Sequence, residues 1–133
     1  MALDTLIIED TTAKLRQVAS GDMPLYTVSD SAPLWMPTVR EIASAIDARF
    51  LIGEEFSSKH EVTGYKVAAM ELPNFLKHLE EGTLVITPGD RSDILLGSIM
   101  AHASTTYPRI AGIIVTGDLL PAPSIQKLIN GFT

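Results

Sequence analysis

The chain has 133 residues, of which 46% are hydrophobic and 20% are charged, with a formal net charge of −6 and no cysteine. This length favours one compact domain, and the composition is too apolar for a disordered segment. The acidic balance, without any basic cluster, argues against nucleic acid or an anionic membrane surface as a partner. The lack of cysteine excludes disulfides, thiol catalysis and cysteine-ligated metals.

Histidine spacing and hydropathy exclude further classes of protein. His60, His78 and His102 do not fall at the spacing of a zinc site, so we expect no bound metal. No apolar run approaches the roughly 18 residues that a membrane helix needs. The first four residues lack the basic start of a secretory signal. We therefore expect a cytoplasmic protein.

Residues 1–36 are predicted to form an N-terminal extension and linker. Leu3–Glu9 contains a short apolar run that indicates a strand or an extended arm. Asp10, Thr11 or Thr12 is predicted to cap a helix that runs to about Ser20, and the proline-containing stretch Asp22–Pro37 is predicted to be a linker.

Residues 37–133 show a pattern of alternating helices and strands. The spacing of apolar residues after Pro37 predicts an amphipathic helix, which is followed by a short buried strand at Arg49–Ile52. A second strand is predicted at Tyr65–Met70, and a helix that opens at Pro73 is predicted to end at Gly82.

The strongest strand signal is the continuous apolar and β-branched run Thr83–Thr87, which is typical of a strand buried on both faces. Asp90 is predicted to cap a helix that reaches Ser104, and a further strand follows at Ile110–Thr116. Ser124 is predicted to cap a last short helix. The sequence therefore predicts a small, three-layer-like α/β domain with a mostly parallel sheet of about four strands and flanking helices.

Ligands of open parallel sheets bind beyond the carboxyl ends of the strands, where the connecting loops meet. The loops after the two best strands supply glycine N–H groups, a helix N-terminus and a guanidinium, which can bind an anion. Two aspartates there would repel an anion unless they bind its hydroxyl groups or a cation. The candidate ligand-binding residues are Thr87, Gly89, Asp90, Arg91, Thr116, Gly117 and Asp118.

The same residues also fit a purely structural interpretation. Asp90 can serve as a helix cap, Gly89 can serve the backbone conformation, and Arg91 can pair with a neighbouring carboxylate at Asp93, Asp118 or Glu81. No standard phosphate-binding fingerprint and no serine-hydrolase motif is present in the sequence. We therefore predict no catalytic residues and no cofactor.

At these two loops the sequence resembles the DRTGG domain, which is named for an Asp-Arg pair and a Thr-Gly-Gly. Here Asp90-Arg91 and Thr116-Gly117 follow two apolar strands. Glu61–Tyr65 is similar to the family's strand entry, and Glu81–Thr87 is similar to a later strand of the family. The resemblance runs from about residue 37 to residue 132. One departure is that Asp118 replaces the second glycine.

The resemblance implies a fold similar to the N-terminal domain of HPr kinase, a tendency to pair as homodimers, and a regulatory role. The most similar version is the central regulatory segment of long bacterial phosphotransacetylases. The family domain usually continues with another strand after the helix matching residues 124–130. The resemblance therefore leads us to expect a trimmed segment, a natural stand-alone version, or a version in which Leu3–Glu9 supplies a replacement strand.

These observations lead to a non-catalytic regulatory or ligand-sensing module, expected to be a homodimer that binds a small anionic metabolite or a nucleotide. A second hypothesis is a structural dimerisation module without any ligand. Its contact would be the small residues Gly97, Ala101 and Ala103 together with the loop Leu119–Pro123. A third is a fragment of a phosphate acetyltransferase that lacks the catalytic domain.

Overall fold

The structure is a computed structural model that describes residues 13–15 and 36–132. The chain divides into two compact units, Met1–Trp35 and Met36–Thr133. In the first unit, residues 13–15 are helical, within the predicted first helix. The rest of that helix, the strand predicted at Leu3–Glu9 and most of the predicted linker lie outside the described residues.

The second unit alternates helices with parallel strands. Its helices are α1 (Val39–Ala45), α2 (Glu54–Ser57), α3 (Leu72–Phe75), α4 (Ser92–Ala103) and α5 (Pro123–Ile129), and its strands are β1 (Gly64–Val67), β2 (Thr83–Pro88) and β3 (Gly112–Thr116). A 3₁₀ turn, Leu76–His78, continues α3. The strands form one parallel sheet in the order β1-β2-β3. The predicted α/β class with a parallel sheet and flanking helices is therefore confirmed.

The central strand β2 carries the core on both of its faces. Val85 is fully buried, and it packs with Ile113 in a cluster that includes Ile94 of α4. On the opposite face, Leu84 and Ile114 pack against α1. Burial on both faces explains why the β2 sequence is continuously apolar instead of alternating.

The start of α1 is fixed by a capping box. The Thr38 hydroxyl accepts a hydrogen bond from the Glu41 backbone N–H at 3.3 Å, and the Glu41 carboxylate accepts one from the Thr38 backbone N–H at 2.7 Å. These bonds satisfy two backbone donors that a helix start otherwise leaves unpaired. The hydrogen bond from the Thr38 backbone, and then that from its hydroxyl, lower the pKa of Glu41.

The strand predicted at Arg49–Ile52 is wrong, and the described part of the sheet has three strands instead of about four. The segment lies between Asp47 and Gly53, which both have left-handed backbone conformations, with φ of 53° and 74°. Leu51 and Ile52 lie in a bend, so the segment does not continue as an extended strand along a sheet edge. Phe50 instead lies under the Arg40 guanidinium, 5.8 Å from it.

The ends of three helices differ from the prediction. The helix that opens near Pro73 stops early, because Leu79 is already extended, with ψ of 136°. Asp90 is not the cap of α4, because the turn at Pro88–Arg91 makes Arg91 the capping residue. Ser124 is not the cap of α5, since the helix already begins at Pro123, a residue whose fixed φ suits the first helical position.

The longest helix of the second unit, α4, has 12 residues. Across residues 13–15 and 36–132, no helix combines the length and apolarity that crossing a membrane would require.

Candidate functional site

The loops that follow β2 and β3 lie side by side at one end of the sheet. Pro88 and Thr116, the last residues of the two strands, are register partners. The loops then pack closely, because a Cβ atom placed on Gly89 would lie 1.7 Å from the Leu119 carbonyl oxygen. We call Thr87–Arg91 and Thr116–Asp118 the strand-end site.

The predicted site residues differ in how accessible they are. Thr87 is buried, and its hydroxyl donates a long hydrogen bond of 3.5 Å to the Pro88 carbonyl. Gly89 is also buried, whereas Asp90, Thr116, Gly117 and Asp118 are exposed. The accessible surface of the strand-end site is therefore made by Pro88, the two aspartates, Thr116 and Gly117, together with the Arg91 side chain, which is 31% exposed.

Arg91 is held by three hydrogen bonds. Its Nε and Nη2 donate to the two carboxylate oxygens of Asp93, both at 2.9 Å, and Nη2 also donates to the Met70 carbonyl at 2.9 Å. Of the three partners that the sequence suggested, Arg91 therefore pairs with Asp93 in the structure. The contact with Met70 connects the start of α4 to the loop that follows β1.

The Arg91–Asp93 pair also perturbs the acidity of both groups. The hydrogen bond from Arg91 is the largest cause that lowers the pKa of Asp93, and a hydrogen bond from the Ile94 backbone acts in the same direction. The Asp93 hydrogen bond likewise raises the pKa of Arg91. Both groups are therefore charged at neutral pH.

The Asp93 carboxylate occupies the features that were predicted to attract an anion. It accepts from the Arg91 guanidinium, and it accepts a backbone N–H in the first turn of α4, where the helix dipole favours negative charge. An external carboxylate or phosphate would compete with Asp93 for Arg91. Sequence reasoning offered Asp93 as one of three possible partners of Arg91, and spacing alone could not show that it engages the guanidinium with both oxygens.

The turn after β3 explains the departure from the Thr-Gly-Gly pattern. Gly117 and Asp118 are both left-handed, with φ of 80° and 53°. Glycine adopts this conformation without strain, and aspartate is among the few other residues that adopt it with some frequency. Asp118 therefore keeps the turn of the pattern while adding a carboxylate to the site.

The small residues of α4 do not form the predicted contact surface. A Cβ atom on Gly97 would lie 2.3 Å from the Leu72 side chain, and Ala101 is only 5% exposed. These two residues serve packing within the domain, because close approach of neighbouring elements requires small side chains there. Ala103 is exposed.

The described residues also show what the site does not bring together. Among residues 13–15 and 36–132, no group of three or more histidine, aspartate or glutamate side chains is arranged to hold a metal ion. Sequence reasoning missed two buried polar atoms on α4, one of which is Ser98 Oγ, which has no hydrogen-bond partner among the described residues. The Nδ1 atom of His102 is buried without a hydrogen-bond partner, and no sequence signal marks it because its environment is made by distant elements.

Comparison with known proteins gives one family and a set of longer relatives. The family profile of the DRTGG domain matches residues 41–133. A phosphate acetyltransferase from Nitratidesulfovibrio vulgaris is 40% identical over 114 residues, which cover 86% of this chain and 16% of the relative. One from Synechocystis is 43% identical, over 84% of this chain and 16% of the relative. One from Deinococcus radiodurans is 29% identical, over 92% of this chain and 17% of the relative. No solved structure matches the chain.

Proposed function

Because the chain belongs to the DRTGG domain family, and spans only about 16% of the phosphate acetyltransferases that it resembles, we propose that it is a non-catalytic regulatory module. Its strand-end site senses a small anionic metabolite or a nucleotide. The observation that carries this proposal is the Arg91–Asp93 pair at the start of α4.

The pair gives the site a way to respond to a ligand. An anion that binds the Nε and Nη2 edge of the Arg91 guanidinium displaces the Asp93 carboxylate, and the Met70 carbonyl shares the same Nη2 atom. Binding therefore changes the hydrogen bond from Arg91 to the Met70 carbonyl, which connects the start of α4 to the loop after β1. Exposed carboxylates at Asp90 and Asp118 disfavour a bare anion but can accept hydrogen bonds from sugar hydroxyls, which favours a nucleotide over orthophosphate.

Thermal denaturation in the presence of orthophosphate, acetate and ATP tests the sensing role. A ligand at a hundred times its Kd stabilises the folded state by about 2.7 kcal/mol, which is a readily measured rise in Tm. We expect ATP to raise the Tm of the wild type but not that of Arg91→Ala. The matched control is Lys127→Ala, which removes one positive charge from α5 and should leave the ATP effect intact.

Two results would contradict this function. A Tm that none of the three anions changes, or an ATP effect that persists fully in Arg91→Ala, would remove the sensing role. Transfer of an acetyl group to phosphate by the purified chain would contradict its non-catalytic character.

A second candidate is a module that pairs with another copy of itself, and the exposed face of β1 with the loop that follows it favours this candidate. Tyr65, Val67 and Met70 are 72%, 64% and 50% exposed, although large apolar side chains usually become buried. This surface differs from the α4 face suggested by the sequence. Substitution of Ala101 would perturb the core and would not test pairing.

Light scattering after size exclusion tests the pairing. We expect the wild type to have the mass of a dimer and Val67→Lys that of a monomer. Leu128→Lys, which charges an apolar residue of α5 with 53% exposure, is the matched control and should keep the dimer mass. A wild type with the mass of a monomer would exclude this candidate.

A further inference from the structure

Arg91 connects the strand-end site to the loop between β1 and α3. Its Nε and Nη2 atoms hold the two carboxylate oxygens of Asp93, and Nη2 also donates to the Met70 carbonyl at 2.9 Å. Three exposed residues separate the buried Ala68 from the start of α3. We call these residues, Ala69–Glu71, the β1–α3 loop.

Local hydrogen bonds hold the β1–α3 loop at its two ends. The Ala68 N–H donates to a carbonyl of β2 at 2.9 Å, and the Glu71 carbonyl accepts two N–H groups of α3, each at 3.0 Å. Among the hydrogen bonds of the described residues, the bond from Arg91 is the one that joins the middle of the loop to a distant element. The position of Met70 therefore depends on where the Arg91 guanidinium lies.

Charge also attracts the loop to Arg91. The Asp93 hydrogen bond is the largest cause that raises the pKa of Arg91, and the charges of Asp90 and Glu71 act in the same direction. Because Glu71 belongs to the β1–α3 loop, the guanidinium attracts both a carbonyl dipole and a carboxylate of the same three residues. An anion bound to the guanidinium offsets its positive charge and weakens both attractions.

The side chain of Met70 belongs to a different surface from its carbonyl. It lines a pocket of about 290 Å³ together with Tyr65 and Val67 of β1 and Phe75 of α3. Phe75 is part of the buried core, whereas Tyr65 and Val67 are exposed. A movement of the Met70 backbone therefore changes the packing of residues that lie outside the strand-end site.

The way in which Asp93 is held gives the direction of the coupling. Asp93 lies within α4, and its carboxylate also accepts a hydrogen bond from the Ile94 backbone. Arg91 precedes the helix, and its side chain is 31% exposed, so the guanidinium is the partner that moves when an anion binds its Nε and Nη2 edge. That movement carries Nη2 away from the Met70 carbonyl and releases the loop.

We propose that the Met70 carbonyl transmits occupancy of the strand-end site to the apolar face of β1. Without an anion, Arg91 holds Met70 in the pocket beside Tyr65; with an anion bound, the β1–α3 loop is released and the Met70 side chain leaves the pocket. The inference rests on the regulatory function proposed above and identifies its output. Because coupling between two sites is reciprocal, a change that releases Met70 also tightens anion binding.

NMR spectra of the full chain, labelled at the methyl groups of its five methionines, follow the loop directly. The aromatic rings of Tyr65 and Phe75 line the Met70 pocket, so the Met70 methyl shift reports where that side chain lies. Titration with ATP should move the Met70 signal with the same saturation curve as the strand-end amides. The signal of Met100, which is exposed on α4, should not move.

A variant of Arg91 tests the same contact without any ligand. Arg91→Ala should shift the Met70 methyl signal of the ATP-free protein towards its ATP-bound position and abolish the response to ATP. Lys127→Ala, which removes a positive charge from α5, is the control and should change neither.

Met70→Ala tests the coupling from the other end. It removes the side chain that packs in the pocket but keeps the carbonyl, so the released loop becomes more populated. We expect the Kd for ATP to fall at least about fivefold. Met100→Ala is the matched control, because it removes a methionine of similar exposure, 54% against 50%, and should leave the Kd unchanged.

The outcomes separate this coupling from the sensing function. If ATP shifts the strand-end amides but not the Met70 methyl signal, or if Met70→Ala binds ATP no more tightly than Met100→Ala, the site senses a ligand and the coupling is wrong. If ATP does not bind, the sensing function fails, and the ATP-free spectrum of Arg91→Ala decides whether Arg91 holds the loop. An unmoved Met70 signal in that spectrum would overturn the coupling, and a shifted one would support it.

Discussion

Gly89→Ala is the substitution that most directly tests how the two loops pack. The new Cβ would lie 1.7 Å from the Leu119 carbonyl oxygen, 2.6 Å from its carbonyl carbon and 2.9 Å from a methyl group of Val115. Ordinary contact begins at 3.4 Å, so the Leu119 backbone would have to withdraw by roughly 1.7 Å. Because the obstacle is backbone in a tight turn, rotation of a side chain cannot relieve it.

Overpacking of this kind typically costs 1–3 kcal/mol and occasionally more, and we place Gly89→Ala at about 3 kcal/mol. In a domain of this size that loss lowers Tm by about 10 °C. Differential scanning calorimetry provides the measurement, and Gly64→Ala is the control because a Cβ there meets nothing within 4 Å. A Gly89→Ala protein whose Tm stays within about 2 °C of the wild type would refute the packing of the two loops.

Three further substitutions have defined directions. Asp118→Gly should raise the free energy of unfolding by about 0.5–1 kcal/mol because it relieves a left-handed residue, whereas Asp90→Gly, without positive φ, should not. The Asp93 carboxylate has a pKa lowered by Arg91, so its contribution to stability is present above the unfolded pKa and is lost as pH falls through the folded one. Arg91→Ala should therefore make the acid-induced loss of stability below about pH 4 shallower. Thr38→Ala should cost about 1 kcal/mol in urea unfolding through the lost cap of α1.

Each of these has a result that contradicts it. Equal effects of glycine at positions 118 and 90 would show that backbone conformation does not set the difference. An acid limb of the same steepness in Arg91→Ala would mean that the ion pair contributes little to the pH dependence. For the α1 cap, the control is Ser44→Ala, which replaces an exposed serine within the helix. If Thr38→Ala lowers the free energy of unfolding by no more than Ser44→Ala does, the capping role of Thr38 is contradicted.

The sequence predicts the sheet well where local signals and burial agree. Thr83–Thr87 is apolar and β-branched throughout, and it forms β2, one residue longer than predicted. Ile110–Thr116 contains β3, although the strand begins only at Gly112. Both strands have helices on both sides of the sheet, so burial of both faces gives their sequences nearly continuous apolar runs.

Prediction fails where distant contacts decide the local structure. Arg49–Ile52 has a strand-like composition, but Phe50 lies under the Arg40 guanidinium of α1, and Leu51 and Ile52 lie in a bend. Gly97 is small because Leu72 presses on it from α3, a contact that the α4 sequence does not contain. In each case the sequence shows the residue type but not the neighbour that requires it.

The candidate site was likewise predictable from the sequence only in part. The adjacency of the loops after β2 and β3 follows from their order in a parallel sheet and was expected. The pairing of Arg91 was left open among three partners. It depends on the non-helical conformation of Arg91, with ψ of 68°, which lets residues two apart meet although such residues do not face each other within a helix.

Titration of the isotope-labelled chain with ATP, followed by amide NMR spectra, tests the regulatory role most directly. The strand-end site predicts saturable shifts at Gly89, Arg91 and Gly117, with little change at the buried strand residue Val85. The same titration of Arg91→Ala should leave those amides unmoved. Shifts that are absent from the wild type, or that persist unchanged in Arg91→Ala, would contradict a ligand-sensing role for this site.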